Sequence, residues 1–152
     1  MADLVVKVSD VVTVSGETHS EEESLTIGSV TRVWKGVTAV GRTTANKVQL
    51  LANAAAEAVG TFKTGDFKYF RVTNRSSELV DVNFGNATGN LLMTVRLVAG
   101  ASYIMSAWSM NAKDSSVTTG DVQEASSTPL YVSAFHYGSS GTANVQWVLA
   151  LA

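Results

Sequence analysis

The chain has 152 residues, 45% of them hydrophobic and only 16% charged, with 11 Lys and Arg against 13 Asp and Glu. That length fits one domain able to bury a sizeable core, and the absence of cysteine excludes disulfide frameworks, thiolate metal sites and cysteine nucleophiles. A formal charge of −2 and a pI near 5.6 give no electrostatic footprint for nucleic acid, while so low a charge content points to a surface partly covered by something other than water.

Residues 1–14 alternate, with Leu4, Val6 and Val8 on one side and a second short run at Val11 to Val14. They read as an edge strand or as an extended arm. The acidic stretch Glu17 to Ser24, with Glu21-Glu22-Glu23 inside it, reads as a loop. Leu25 to Ile27 and Val30 to Trp34 follow, then Gly36 and Val37 to Val40, with Trp34 sharing a face with Val30 and Arg32. Asn46 to Val59 fits either one short helix ended by Gly60 or a strand at Lys47 to Leu51 followed by an alanine-rich connection, since short apolar runs are ambiguous by period alone.

Phe67 to Thr73 is predicted as a strand, Asn74 to Glu78 as a polar turn, and Leu79 to Phe84 as the returning strand of a hairpin. In that returning strand Val80, Val82 and Phe84 share one face and Asp81 and Asn83 the other. Gly85 to Asn90 is a second turn. Leu91, Met93, Val95 and Leu97 then line one face of a strand that Gly100 breaks. Tyr103 to Met110 is apolar on both faces and so expected to be covered on both. Asn111 to Thr128 reads as a long surface loop. Leu130 to Tyr137 and Thr142 to Leu151 finish the chain around Gly138 to Gly141, with Ala143, Val145, Trp147, Leu149 and Leu151 facing one way. Eight to ten short strands with frequent turns and a single proline predict an all-β domain over 1–152, a β-sandwich or jelly-roll-like fold with at most one short helix.

The inventory for chemistry is thin. His19 beside Glu17, Glu21, Glu22 and Glu23 could attract a cation, but consecutive carboxylates lack the spacing of a calcium loop. His136 sits in a predicted strand and reads as packed or interfacial rather than as a ligand or base. Asp114, Asp121 and Glu124 could pair as glycosidase carboxylates only at a fixed separation. Nucleophile-elbow, phosphate-loop and dinucleotide motifs are missing, Gly138 to Gly141 being one residue short of an elbow. Lys63, Lys68, Arg71 and Arg75 near Phe62, Phe67, Tyr69 and Phe70 are too few charges for a single-strand groove. Trp34, Trp108 and Trp147 with Tyr69, Tyr103, Tyr131 and Tyr137 fit a sugar platform, a core or a protein interface. No enzyme activity, cofactor or metal is expected, and no nucleic-acid or membrane partner. There is no secretory leader pattern and no apolar run of membrane length.

The segment Asp66-Phe67-Lys68-Tyr69-Phe70-Arg71-Val72-Thr73-Asn74-Arg75-Ser76-Ser77 resembles the central strand and turn of small virion proteins from tailed bacteriophages. Leu79 to Phe84, the Leu97 to Ser102 turn, the strand from Tyr103, and Val30 to Lys35 follow that pattern in order. Pro129 to Ala152 matches no particular branch. The resemblance implies a capsid decoration (cement) protein: a small jelly-roll-like domain, often trimeric, that clamps major capsid protein subunits on the virion surface after synthesis in the host cytoplasm. A tail, adaptor or fibre component, or a carbohydrate- or receptor-binding β module, is the alternative. The candidate partner interface is Leu4, Val6, Val8, Trp34, Tyr103, Trp108, Tyr131 and Trp147. A homo-oligomer, most simply a trimer, is expected because one sandwich core cannot hide so much apolar surface. Strand addition by residues 1–14 would supply main-chain bonding to a partner.

Overall fold

A computed structural model describes residues 2–42, 48–53, 61–62, 66–86, 91–106, 130–136 and 141–152. Among these residues every regular element is a strand: β1 (Ala2–Val14), β2 (Glu17–Val30), β3 (Arg32–Gly41), β4 (Val48–Asn53), β5 (Thr61–Phe62), β6 (Phe67–Asn74), β7 (Val80–Asn86), β8 (Leu91–Leu97), β9 (Ser102–Ser106), β10 (Leu130–His136) and β11 (Thr142–Leu151). They form a β1-β2 ribbon, a five-stranded sheet ordered β5-β4-β10-β7-β8, and a four-stranded sheet ordered β3-β11-β6-β9.

The pairing has a nested logic. β3 pairs with β11, β4 with β10, β6 with β9 and β7 with β8, all antiparallel. The chain from β3 onward is thus one long hairpin folded over itself. The additional β11-β6 and β10-β7 pairings close its two sheets. That is the strand order of a jelly roll, with β5 added in parallel beside β4. The all-β expectation is met.

The main core lies between the two sheets. Val72, Val145 and Leu149 from the four-stranded sheet meet Val80, Val82, Phe84, Val132 and Ala134 from the five-stranded one. Each set occupies alternate positions of its strand, as a half-buried sheet requires. Phe70 and Phe84 meet edge to face at 6.4 Å across this core. A smaller cluster of Ile27, Val30, Tyr69, Val148 and Ala150, with Leu4 and Val6 packed against it, lies on the opposite face of β6 and β11. It fastens the base of the β1-β2 ribbon to the sandwich.

Several sequence expectations need correction. Glu17 to Ser24 is strand, not loop. It pairs with β1 in continuous register from Val14↔Glu17 to Leu4↔Ile27, and the turn between them is Ser15-Gly16 with φ of 54° and 86°. Two successive positive φ values are what a two-residue type I′ hairpin turn demands. Phe67 to Thr73 and Leu79 to Phe84 do not form a hairpin, because β6 and β7 belong to different sheets. Val30 and Trp34 lie in separate clusters rather than on one face. For Val48 to Asn53 the strand reading holds and the helix reading fails, since pairing with β10 overrides alanine and leucine helix propensity there. The rest of the Asn46–Val59 question lies outside the described residues, as do Asn111 to Thr128, Trp108, Met110 and Tyr137. Within β9, Met105 is buried but Ile104 is exposed, so the described part of that strand is covered on one face only.

Asn74 explains why the β6–β7 turn changes sheets. Its side chain is buried and donates from Nδ2 to the carbonyls of Glu78 (2.6 Å) and Leu97 (3.0 Å). Its Oδ1 accepts from the Ser76 backbone N–H at 3.0 Å and the Ser76 hydroxyl at 2.7 Å. Its backbone N–H donates to Ala101 O, and its carbonyl accepts from Gly100 N–H. One amide therefore ties the β6–β7 corner to the β8–β9 corner. Asparagine suits this position because it offers both donors and acceptors on a short stem.

Candidate functional site

The most distinctive feature outside the sandwich is the β1-β2 ribbon. Its base is packed, but from Val8 to Ser24 every residue is exposed. At about 3.3 Å per residue, this part reaches about 25 Å beyond the sandwich. Cross-strand partners share a face, so the register sorts its side chains. One face carries Val8/Glu23, Asp10/Glu21, Val12/His19 and Val14/Glu17. The other carries Lys7/Ser24, Ser9/Glu22, Val11/Ser20 and Thr13/Thr18. On the second face Lys7 Nζ meets Glu22 Oε1 at 2.7 Å, and the hydroxyls of Thr13 and Thr18 are 3.2 Å apart.

The first face is the continuation of the base. Leu4, Val6 and Ile27, which pack onto Tyr69, Val148 and Ala150, lie on the same side as Val8, Val12 and Val14. Beyond the base that apolar row runs on into water. Val11, on the other face, is 64% exposed. Asp10 and Glu21 stand directly opposite each other, a like-charge arrangement that weakens a ladder. Asp10, Val12, His19, Ser20 and Glu21 line an open groove of about 450 Å³ on this face. Among the described residues, no three His, Asp or Glu side chains converge as metal ligands.

The sequence-predicted interface residues do not share one surface. Val8 is exposed on the arm, whereas Leu4 and Val6 are half-buried at its base. Trp34 and Tyr103 are partly buried against the main core. Tyr131 is partly exposed on β10, and Trp108 lies outside the described residues. Trp147 must be removed from the set: it is 5% exposed, its indole lies over Gly36, and its Nε1 donates to Thr38 Oγ1 at 3.2 Å. The paired Gly36 makes room for it, so Trp147 fills the core and presents no surface to a partner. Val11, Val12 and Val14, with Val33 and Val37 on the outer side of β3, are exposed apolar residues missing from that set. The two-residue Ser15-Gly16 turn between Val14 and Glu17 is the signal that could have found the arm.

The other candidates are structural in their surroundings. Phe62, Phe67, Tyr69 and Phe70 are buried, so they offer no stacking platform beside Arg71 and Arg75. Burial raises the Tyr69 phenol above its ordinary value of 10.0, and the Arg71 charge opposes that rise. His136 lies on the core side of β10 opposite Val80, with both ring nitrogens lacking a hydrogen-bond partner and Nε2 3.9 Å from Glu78 Oε2. On the opposite face of that sheet Arg96 forms a two-pronged contact with Asp81 at 2.8 and 3.0 Å, and Thr94 donates to Asn83 at 2.7 Å.

Comparison of the chain with protein-family models, with curated proteins and with solved structures returns no match.

Proposed function

We propose that this chain is a non-enzymatic structural protein of a virion: a capsid decoration protein that binds the assembled shell and copies of itself. The observation that carries the reading is the arm, a ribbon of paired strands held at one end and presenting valines to water on both faces. An isolated two-stranded ribbon is marginal in water, and exposed apolar strands invite association. A protein that keeps one has a use for it in contact with another chain. The acidic side chains along the arm keep it soluble until that contact forms.

Two further observations support the reading. The sandwich has the nested pairing of a jelly roll, an architecture common to shell-forming and lectin domains. The segment resembling phage virion proteins, Phe67 to Asn74, is spent on the core and on the Asn74 corner. The likeness is therefore one of scaffold, and attachment falls to the surface and the arm. Function in this reading is adhesion by burial, with interfaces of about 1,200–2,000 Å² each. The test is co-sedimentation with emptied shells that lack the protein. Saturable binding at a fixed ratio to the major capsid protein is the expected result; no binding, or binding to glycans in its place, would overturn the proposal.

A further inference from the structure

We infer that the acidic face of the arm docks on a second copy of this chain, across the outer face of its β3-β11-β6-β9 sheet. The inference goes beyond shell attachment and does not depend on it. It rests on two complementary surfaces within one sequence. Residues 8–24 contain five of the 13 Asp and Glu side chains and none of the 11 Lys and Arg. Four of those five, Asp10, Glu17, Glu21 and Glu23, lie on the same face as Val8, Val12 and Val14. The outer face of the four-stranded sheet has the opposite character. Register places Lys35, Val148, Arg71 and Ile104 in one row across β3, β11, β6 and β9, with Val33 and Val37 on either side of Lys35. Val33, Val37 and Ile104 are exposed large hydrophobics, Val37 at 67%. Among the described residues neither Lys35 nor Arg71 has a carboxylate ion-pair partner.

Geometry favours the same pairing. Within one chain, the base of the arm already lies on this sheet face, with Leu4, Val6 and Ile27 over Tyr69, Val148 and Ala150. The same side of the ribbon then continues outward with a valine row and carboxylates. A second copy offers it the uncovered remainder of an identical surface: apolar side chains for the valines and two cations for the acids. The ribbon is about 10 Å wide and 25 Å long beyond its base. In a two-fold dimer each copy's arm lies on the other's sheet, and two such contacts, each burying about 250 Å² on either side, bring one interface to about 1,000 Å², the lower bound for a specific one. The carboxylates of the arm, a like-charge cost within one chain, meet cations on the second copy at Lys35 and Arg71, which flank the covered Val148 on either side.

The test is charge reversal with exchange, read by sedimentation velocity over a concentration series. Three proteins are compared with the intact chain: the arm variant Glu21→Lys/Glu23→Lys, the sheet variant Lys35→Glu/Arg71→Glu, and an equimolar mixture of the two. All substituted positions except half-buried Arg71 are exposed, and unchanged circular dichroism confirms that each variant folds. The expected result is that the intact chain associates, each variant alone associates at least about tenfold more weakly, and the mixture regains assembly. The proposal is overturned if the intact chain stays monomeric, if either variant associates like the intact chain, or if the mixture regains nothing. Shell binding is scored separately. A monomer that still binds shells refutes self-docking and leaves shell attachment standing, whereas an oligomer that ignores shells does the reverse.

Discussion

Replacing Gly36 by alanine should destabilise the sandwich by about 2–3 kcal/mol. An added Cβ would lie 2.5 Å from Cε2 and 2.9 Å from Nε1 of Trp147, and closer still to Cζ2. Ordinary van der Waals contact is about 3.5–4.0 Å, so either the indole or β3 must move by about 1 Å. The indole is the harder to move, being part of the main core between Val145 and Leu149 and bonded to Thr38 Oγ1. Forcing extra volume into such a site costs about 1–3 kcal/mol, and losing the indole bond about 1 kcal/mol more. Restriction of the unfolded chain returns about 0.4–1 kcal/mol. Gly41 in the same strand is the control, because a methyl added there would meet nothing within 4 Å and its φ is not left-handed; Gly41→Ala should be neutral or slightly stabilising. Urea denaturation followed by tryptophan fluorescence reads both. If the two variants unfold at the same midpoint, the packing of Trp147 on Gly36 is wrong.

Asn74→Ala should cost about 2–3 kcal/mol, since it strips partners from the buried Leu97 carbonyl and from the part-buried Glu78 carbonyl and Ser76 N–H. Asn74→Asp should be at least as damaging, because it sets a carboxylate against those two carbonyls; denaturation midpoints for both variants check this. Tyr69 has its phenol raised by burial, so the folded state holds that proton more tightly than the unfolded one. Its contribution is fully present below pH 10 and is lost as pH rises through the folded value; Tyr69→Phe should flatten the alkaline fall in melting temperature. Shortening the arm by removing residues 8–23, with a new two-residue turn, should leave the sandwich's denaturation midpoint nearly unchanged, because the removed residues are exposed throughout.

The sandwich is legible in the sequence where alternation singles out one set of residues for the main core, although the other face is covered too, Asp81 and Asn83 on β7 and Val148 and Ala150 on β11 being buried. Val80, Val82 and Phe84 against Asp81 and Asn83, and Ala143 to Leu151 in alternation, assign their faces directly, and both sets pack as that period requires. The same alternation aligns Trp147 with Val145 and Leu149; placing it at a partner surface sets a general tendency of tryptophan above that local pattern. Residues 1–14 are read from the sequence as an edge strand or an arm, but the returning half of the arm escapes that reading because it has no dry face. Glu17 to Ser24 lacks the contrast that marks a strand, and only the Ser15-Gly16 turn and the facing Val11–Val14 run reveal it. The expected β6–β7 hairpin fails for another reason. Nearness in sequence favours a hairpin, whereas the buried Asn74 amide stabilises a corner that sends β7 to the other sheet. Hydrophobic period carries no record of that choice.

The most direct test of the account is amide hydrogen exchange, peptide by peptide, on the free protein at low concentration and on the assembled protein. The free arm should exchange quickly over 8–24, since a ribbon exposed on both faces opens at little cost. On assembly, protection should rise there and along β3 and β6, whose outer residues Lys35, Val37 and Arg71 receive it. Protection gained elsewhere on the sandwich, with the arm exchanging as fast as before, would contradict the claim that this protein works by its arm.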